Sequence, residues 1–299
     1  MTGSAHPRAD RQRGAVLIVV LWCAGLVAAL LLAALGTGRT DALVARNAVD
    51  QARAQLAAEG AAQLALARLL IRRAEGRPSA SGDPEPWSDG DIAGRVAVID
   101  ENGRVDINEA SFEMLAGLVQ AVGRGEAEAS ALACAILGFR GAIDSRCAAV
   151  SSIQAGQVFA ATAQLAALPG ADPALVAALV PHVTVHSGAF GIDPAAATRE
   201  ALLAVPGHSP GIVAQFLLRR AARVPLGEGG SVYDVLPPSR YLTASPGVVF
   251  VIHVEAVVPG GAAYRVEHVV RIGGGDDRPY RTLAWRAQPP PRFAAQSAR

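Results

Sequence analysis

Oxygen-bearing side chains gather around one turn-like stretch of this 299-residue chain. Asp100, Glu101 and Asp106 surround the dipeptide Asn102-Gly103, and carboxylates are ligands that calcium prefers. Tight turns also recruit Asp and Asn, because their side chains bond nearby backbone amides. The stretch is therefore a candidate calcium site, although turn formation explains the same residues.

A pair of histidines and a glycine-rich run are the other features that could indicate a metal site or a catalytic site. His182 and His186 stand four residues apart, a metal-binding spacing only on a helix. Pro181 and the β-branched residues between them favour an extended backbone instead. The run at residues 273–277 leads into Arg-Pro and is explained as a connection. The sequence contains neither HExxH nor a phosphate-binding loop. We expect no catalytic residue and no enzyme activity.

One of the three cysteines lies in a long apolar run, and the other two lie outside it. Cys23 lies in a long apolar run, which leaves Cys134 and Cys147 as the pair outside it. In an oxidising compartment this pair could form a disulfide that closes a loop of about 13 residues and adds about 2–4 kcal/mol. Two separately buried thiols are the alternative. No Cys-x-x-Cys motif indicates zinc or redox chemistry.

An uncharged stretch near the N-terminus precedes all of these groups. Residues 14–38 carry no charged side chain, and as a helix they reach about 37 Å, more than the roughly 30 Å of a bilayer core. The apolar part of a signal peptide is shorter, roughly 7–15 residues. Three arginines precede the run against one aspartate, so the N-terminus should stay in the cytoplasm. We expect a single-pass helix in the cell inner membrane over residues 15–38, with the C-terminal domain in the periplasm.

Downstream of this span the pattern changes from helix to strand. Residues 39–75 are rich in Ala and Leu without proline and should extend the membrane helix. The apolar stripe of this extension is predicted at Leu56, Leu64, Leu66, Leu69 and Leu70. Residues 76–90 are predicted to be a loop, and residues 94–108 a hairpin that turns at Asn102-Gly103.

Residues 108–224 alternate Ala-rich helical segments with Pro/Gly breaks. Two breaks share one form, LPGADP at residues 168–173 and VPGHSP at residues 205–210, and the pattern is similar to helix-hairpin-helix modules. Such modules often hold DNA phosphates, which requires clustered cations. Acidic residues slightly outnumber arginines here, and the net charge of the whole chain is +1. The one cluster, Arg219, Arg220 and Arg223, is explained as a solvated helix end. No nucleic acid is expected.

Strands return after residue 225. Residues 247–258 and 262–273 predict an antiparallel hairpin, residues 280–287 a third strand and residues 288–299 a disordered tail. A helical block between strands of one antiparallel sheet predicts an α+β fold with an insertion.

The N-terminal junction resembles the precursors of type IV pilins and pseudopilins. A short basic leader ends in Gly14, and the apolar helix then runs on without proline. The resemblance implies that a prepilin peptidase removes residues 1–14 by cleaving between Gly14 and Ala15, and that Ala15 becomes N-methylated. Most members carry Glu at the fifth mature position, where this chain has Val19. Because an unpaired carboxylate in a bilayer is costly, Val19 fits a subunit at the filament tip.

The order of elements resembles the general secretion pathway protein K family, minor pseudopilins of type II secretion. Residues 168–188 and 239–258 carry much of this resemblance. The family implies a type IV pilin-like long N-terminal helix packed on a small antiparallel sheet (39–107 and 226–287), with a large all-α, helix-hairpin-helix or SAM-like insertion (108–225). It also implies a place at the pseudopilus tip, where the chain helps to initiate assembly and to export folded proteins across the outer membrane.

The family also implies partners. They are two other minor pseudopilins in a tip complex, the major pseudopilin, the prepilin peptidase and inner-membrane lipid. Calcium is the one cofactor that the family suggests, and the resemblance assigns it no ligands here. Two alternatives stay open at this point: a membrane-anchored helix-hairpin-helix DNA-binding protein of the competence type, and a minor type IV pilin with a similar insertion.

Overall fold

The fold is seen in a computed structural model, which describes most of the chain. The described residues are 11–76, 82–142, 144–147, 156–222, 235–243, 247–273 and 278–288, with the backbone alone for residues 11–15, 32–40 and 288. The predicted leader up to residue 10 and the predicted tail from residue 289 lie outside them.

Six helices and seven strands make up the described elements. Their order is α1 (Arg11–Ala74), β1 (Glu85–Asp89), β2 (Ile92–Asp100), β3 (Val105–Asp106), α2 (Phe112–Ala121), α3 (Glu126–Phe139), α4 (Pro173–Leu179), β4 (Val183–Thr184), α5 (Arg199–Leu203), α6 (Pro210–Ala221), β5 (Val249–Val257), β6 (Ala263–Ile272) and β7 (Tyr280–Gln288). Short 3-10 helices lie at Glu101–Gly103, Thr162–Ala167 and Val180–His182.

Five of the strands form one antiparallel sheet in the order β1-β2-β5-β6-β7. The predicted hairpin at residues 247–273 and the predicted third strand are confirmed as β5, β6 and β7. Strands β2 and β5 are neighbours in the sheet, although the helices α2 to α6, the strands β3 and β4 and the three 3-10 helices lie between them in the chain. The α+β fold class is therefore confirmed, with a helical unit inserted between two adjacent strands.

A stripe of alanines packs α1 on this sheet. Ala54, Ala58 and Ala62 recur at helical spacing and are 0% exposed, and they meet apolar side chains of β5 and β6. The predicted leucine stripe is only partly correct, because Leu56 and Leu64 are 68% and 52% exposed. The leucines and the alanines both recur at helical spacing. The alanines lie on the face towards the sheet, because a small side chain lets the helix axis approach the sheet closely.

The predicted hairpin at residues 94–108 is wrong. Strand β2 pairs with β1 and β5, while β3 pairs in parallel with β4 from the helical unit. The chain leaves the sheet at residues 101–103, because the Asp100 carboxylate accepts a hydrogen bond from Asn102 N and caps a 3-10 turn. The loop predicted at residues 76–90 therefore contains β1, and the true hairpin turn is at Gly90, whose φ of 59° suits glycine.

The helical unit has its own apolar core. Large side chains such as Met114, Leu132 and Phe159 are at most 1% exposed. The core also includes Leu236 and Leu242, which lie beyond residue 225 in the sequence. Helices α2, α4, α5 and α6 begin at side-chain caps, each accepting a hydrogen bond from the third helical amide.

Within the described part of the chain, no helix combines the length and the hydrophobicity that crossing a membrane requires. The span over residues 15–38 stays a prediction.

Candidate functional site

The N-terminal half of α1 presents an apolar surface. The large apolar side chains between Val16 and Leu31 are 54–76% exposed, and Val19 is 60% exposed. Gly14 and Ala15 belong to the first turns of the same helix, where the backbone alone is described. A helix that is apolar on all sides needs lipid or other helices around it. This half of α1 is therefore a surface that the described fold leaves uncovered.

Further along α1, a groove opens between the helix and the edge strand β1. Its volume is about 560 Å³, and Leu56, Gly60 and Leu64 line it on the helix side. Trp87 forms the opposite wall and lies directly across from Gly94, where a Cβ would overlap its indole ring. Small residues on α1 flanked by leucines suit close packing of a second helix.

A network of four residues lies where the chain leaves the sheet after β2 and returns to it before β5. The Asp100 carboxylate accepts hydrogen bonds from Asn102 N (2.9 Å) and Gly247 N (3.1 Å). Arg73, at the end of α1, donates to the Gly247 carbonyl at 2.5 Å. Burial raises the pKa of Asp100, and the two amide hydrogen bonds oppose that shift. Because a Cβ at residue 247 would overlap the Asp100 carboxylate, the chain needs glycine where it re-enters the sheet.

The other two predicted calcium ligands, Glu101 and Asp106, also bind groups of the protein itself. Glu101 pairs with Arg104 at 2.9 Å and accepts a hydrogen bond from Thr184. Asp106 accepts from Asn108 N, Ser187 Oγ and Gly188 N at 2.7–3.0 Å. Among the described residues, no group of three or more His, Cys, Asp or Glu side chains is placed to hold a metal ion. The observed contacts are those of turns and of the junction with β4.

The two histidines of PHVTVH do not share a helix face. Val183 and Thr184 between them form β4, as the β-branched residues predict. His182 Nδ1 lies 2.9 Å from Thr198 Oγ1, the cap of α5. Burial lowers the pKa of both His182 and His186. His182 is therefore bonded to the helix cap, and His186 lies beyond the strand.

Cys134 and Cys147 are joined as a disulfide in the structure, with a Cα–Cα distance of 5.3 Å. The bond ties the buried middle of α3 to the loop that follows the helix. In that loop Arg146 binds both Asp144 and Glu113 and stacks over the Phe112 ring. The loop is thus anchored to both α2 and α3.

The two similar Pro/Gly breaks have the same geometry. Gly170 and Gly207 have φ values of 82° and 87°, and each is followed by a capping residue and a proline in the first helical turn. The second break also matches Gly-x-Ser-x-Gly at residues 207–211, the pattern of a serine-hydrolase nucleophile elbow. Ser209 caps α6 between two helices, whereas a nucleophile elbow needs a strand before the serine. The pattern is a helix cap here.

The geometry defines a class of α+β protein in which one long helix packs on an antiparallel sheet and a helical unit is inserted between two neighbouring strands. A solved structure with a similar fold is the GspK-GspI-GspJ complex of the type 2 secretion system of enterotoxigenic Escherichia coli. The likeness has a TM-score of 0.60 at 13% identity and covers 82% of this chain and 99% of the matched chain. The chain therefore has a GspK-like fold. No family model and no curated protein matches it.

Proposed function

We propose that the chain is a minor pseudopilin at the tip of a type II secretion pseudopilus. The likeness of fold over nearly the whole of the matched chain carries this proposal. In that role the chain helps to initiate assembly and to export folded proteins across the outer membrane. Residues 15–38 anchor it in the inner membrane, the rest of α1 and the five-stranded sheet form the pilin-like domain, and the helical unit between β2 and β5 is the insertion.

Assembly uses α1. The apolar N-terminal half contacts lipid and the helices of the major pseudopilin, and the groove at Leu56 and Leu64 receives a helix of another minor pseudopilin. The helical unit is too bulky for a filament interior, and Val19 leaves no carboxylate to pair with a subunit above it. Both features support a place at the tip.

Processing gives the first test. In cells that express a prepilin peptidase, the mature protein should begin at N-methylated Ala15, and Gly14→Leu should block cleavage. Gly25→Leu is the matched control, because a side chain at residue 25 meets open space in the same helix. The N-terminal mass distinguishes the outcomes. An intact Met1 terminus in all three proteins would remove the pseudopilin class.

Complex formation gives the second test. Full-length protein in detergent should co-purify with two partner minor pseudopilins, and Leu56→Asp with Leu64→Asp should weaken that association by about tenfold. Leu218→Asp is the control, because Leu218 is 72% exposed on α6, outside the groove. If both variants lost the partners equally, the groove would not be the binding surface. Binding only to the minor pilins of a type IV pilus would assign the chain to that system instead.

A further inference from the structure

A second concave surface lies on the face of the sheet opposite α1. The helical unit covers only part of this face, and the gap forms a cleft of about 370 Å³. The sheet and the helical unit both contribute to its apolar floor: Val251 and Val269 come from the sheet, and Val183 comes from β4. The charged and titratable groups around it are Glu101, Arg104, His186, His253, Glu267 and Arg286.

The floor continues into a pair of arginines. Side chains alternate along a strand, so Arg271 follows Val269 on the same face of β6. Arg271 lies directly opposite Arg281 of β7, because β7 has one extra residue, Leu283, at the Val269/Val270 step. Like charges at directly paired positions destabilise a sheet. The structure places two cations side by side on the face of the sheet that carries the cleft.

This pair has no counter-charge in the described part of the chain. There, no acidic side chain lies within ion-pair distance of Arg271 or Arg281. Asp276 and Asp277, between the two strands in the sequence, lie outside the described residues. The carboxylates of the cleft already bind other arginines: Glu101 pairs with Arg104 at 2.9 Å and Glu267 with Arg286 at 2.5 Å. The described cleft thus keeps an excess of positive charge.

The histidines of the cleft add no further positive charge at pH 7. Burial lowers the pKa of His186, and the nearby guanidinium groups of Arg286 and Arg271 lower it further, against Asp106 and Glu267. Burial also lowers the pKa of His253. Both rings are therefore neutral at pH 7. The effect of Arg271 on His186, which lines the cleft, places Arg271 close to the cleft.

We propose that this basic cleft, formed by Val183, Val251, Val269, Arg271 and Arg281, binds an acidic segment of another polypeptide. Two neighbouring guanidinium groups suit carboxylates, which they bind with paired hydrogen bonds. The valine floor beside them suits one apolar side chain of the same segment. An extended chain can enter a cleft with walls on both sides, whereas a flat membrane surface cannot. This inference goes beyond the pseudopilin role and does not depend on it.

Fluorescence anisotropy with full-length protein in neutral detergent tests the cleft. The probe is a labelled peptide Glu-Glu-Leu-Glu-Glu, with Gln-Gln-Leu-Gln-Gln as its neutral counterpart. The acidic peptide should bind more tightly, and its affinity should fall with added salt. Replacing both arginines, Arg271→Gln with Arg281→Gln, should weaken binding by about tenfold or more. The charge-matched control, Arg199→Gln with Arg219→Gln, removes two exposed cations of α5 and α6 and should change binding less than about twofold.

A charge reversal separates binding from folding. Arg281→Glu would place opposite charges across β6 and β7, so the thermal midpoint should hold or rise while the acidic peptide no longer binds. Equal binding of the two peptides, or equal loss in the control variant, would overturn the proposal. Competition by inorganic phosphate as effective as the peptide would indicate a simple anion site instead. Binding to phosphatidylglycerol vesicles through the same arginines, without peptide binding, would indicate a membrane contact.

Discussion

The α1–sheet interface and the core of the helical unit bury apolar surface in opposite ways. On the helix side the first turns of the interface use small side chains, with Ala54, Ala58 and Ala62 fully buried against the sheet, and Leu66 and Leu69 follow them. The helical unit is built from large ones, and its Phe139 and Phe159 rings stack with centroids 4.2 Å apart. An interface of alanines depends on close approach, so enlarging a residue should harm it most. A core of large side chains depends on volume, so truncation should harm it most.

Truncation in the helical unit should give the largest effect. Phe159 is 1% exposed, and Phe159→Ala removes the stacked ring and leaves a cavity, so we expect a loss of about 4 kcal/mol in the free energy of unfolding. Val158→Ala is the adjacent control, because Val158 is 73% exposed and should change stability by less than about 0.5 kcal/mol. Chemical denaturation followed by circular dichroism measures both. Similar losses in the two variants would contradict the assignment of Phe159 to the core.

The disulfide should stabilise the helical unit and leave the α1–sheet region almost unchanged. Cys134→Ser with Cys147→Ser should lower the free energy of unfolding by about 3 kcal/mol, because the unfolded chain gains conformational freedom when the disulfide no longer closes a loop. The three tryptophans, Trp22, Trp87 and Trp285, all lie in α1 or the sheet. Tryptophan fluorescence therefore reports on that region, while hydrogen exchange of α2 and α3 amides reports on the other.

In the double-serine variant, the exchange of α2 and α3 amides should accelerate while the fluorescence transition moves little. A fluorescence transition that shifted as far as the exchange would show that the two regions unfold as one unit. Cys23→Ser is the control, since Cys23 is an exposed free cysteine and should affect neither signal.

Local features were predictable from the sequence, and non-local pairings were not. The turns at Gly170 and Gly207 and the β5–β6 hairpin follow from neighbouring residues. The pairing of β2 with β5 joins segments that are separated by the whole helical unit, so no local pattern indicates it. The choice of alanines over leucines as the inner face of α1 depends on the shape of the sheet. The Arg271–Arg281 pair depends on the extra residue in β7, which only the strand register reveals.

Enlargement at the α1–sheet interface should have an intermediate effect. Ala58 is 0% exposed, and Ala58→Leu forces extra volume between the helix and the sheet, so we expect a loss of about 2 kcal/mol. Ala52→Leu makes the same change on an exposed face of α1 and should be nearly neutral. Urea denaturation followed by tryptophan fluorescence compares the two. If Ala58→Leu were as stable as Ala52→Leu, the close approach of helix and sheet would not be what this interface requires.

A buried carboxylate of the helical unit should give the smallest effect and a distinctive pH dependence. Burial raises the pKa of Asp193 from 3.8 to about 6, with the nearby Asp100 adding to the shift and Arg220 opposing it. The folded state thus holds this proton more tightly than the unfolded state. Stability contributed by Asp193 rises as the pH falls from about 6 towards 4 and is lost above pH 6.

Asp193→Asn should therefore be more stable than the wild type at pH 7, by about 1 kcal/mol, and equal to it near pH 4. The full linkage of a shift of about two pKa units is about 3 kcal/mol, but Asn loses the attraction of Arg220 and keeps only the hydrogen bond from Ala195 N. His268→Gln in the sheet is the counterpart. Burial lowers the pKa of His268 below 6.5, so the wild type loses stability through His268 as the pH falls below 6.5. Urea denaturation at pH 4, 5, 6 and 7 should give opposite slopes for the two differences. Parallel slopes would mean that burial does not control the protonation of one of these groups.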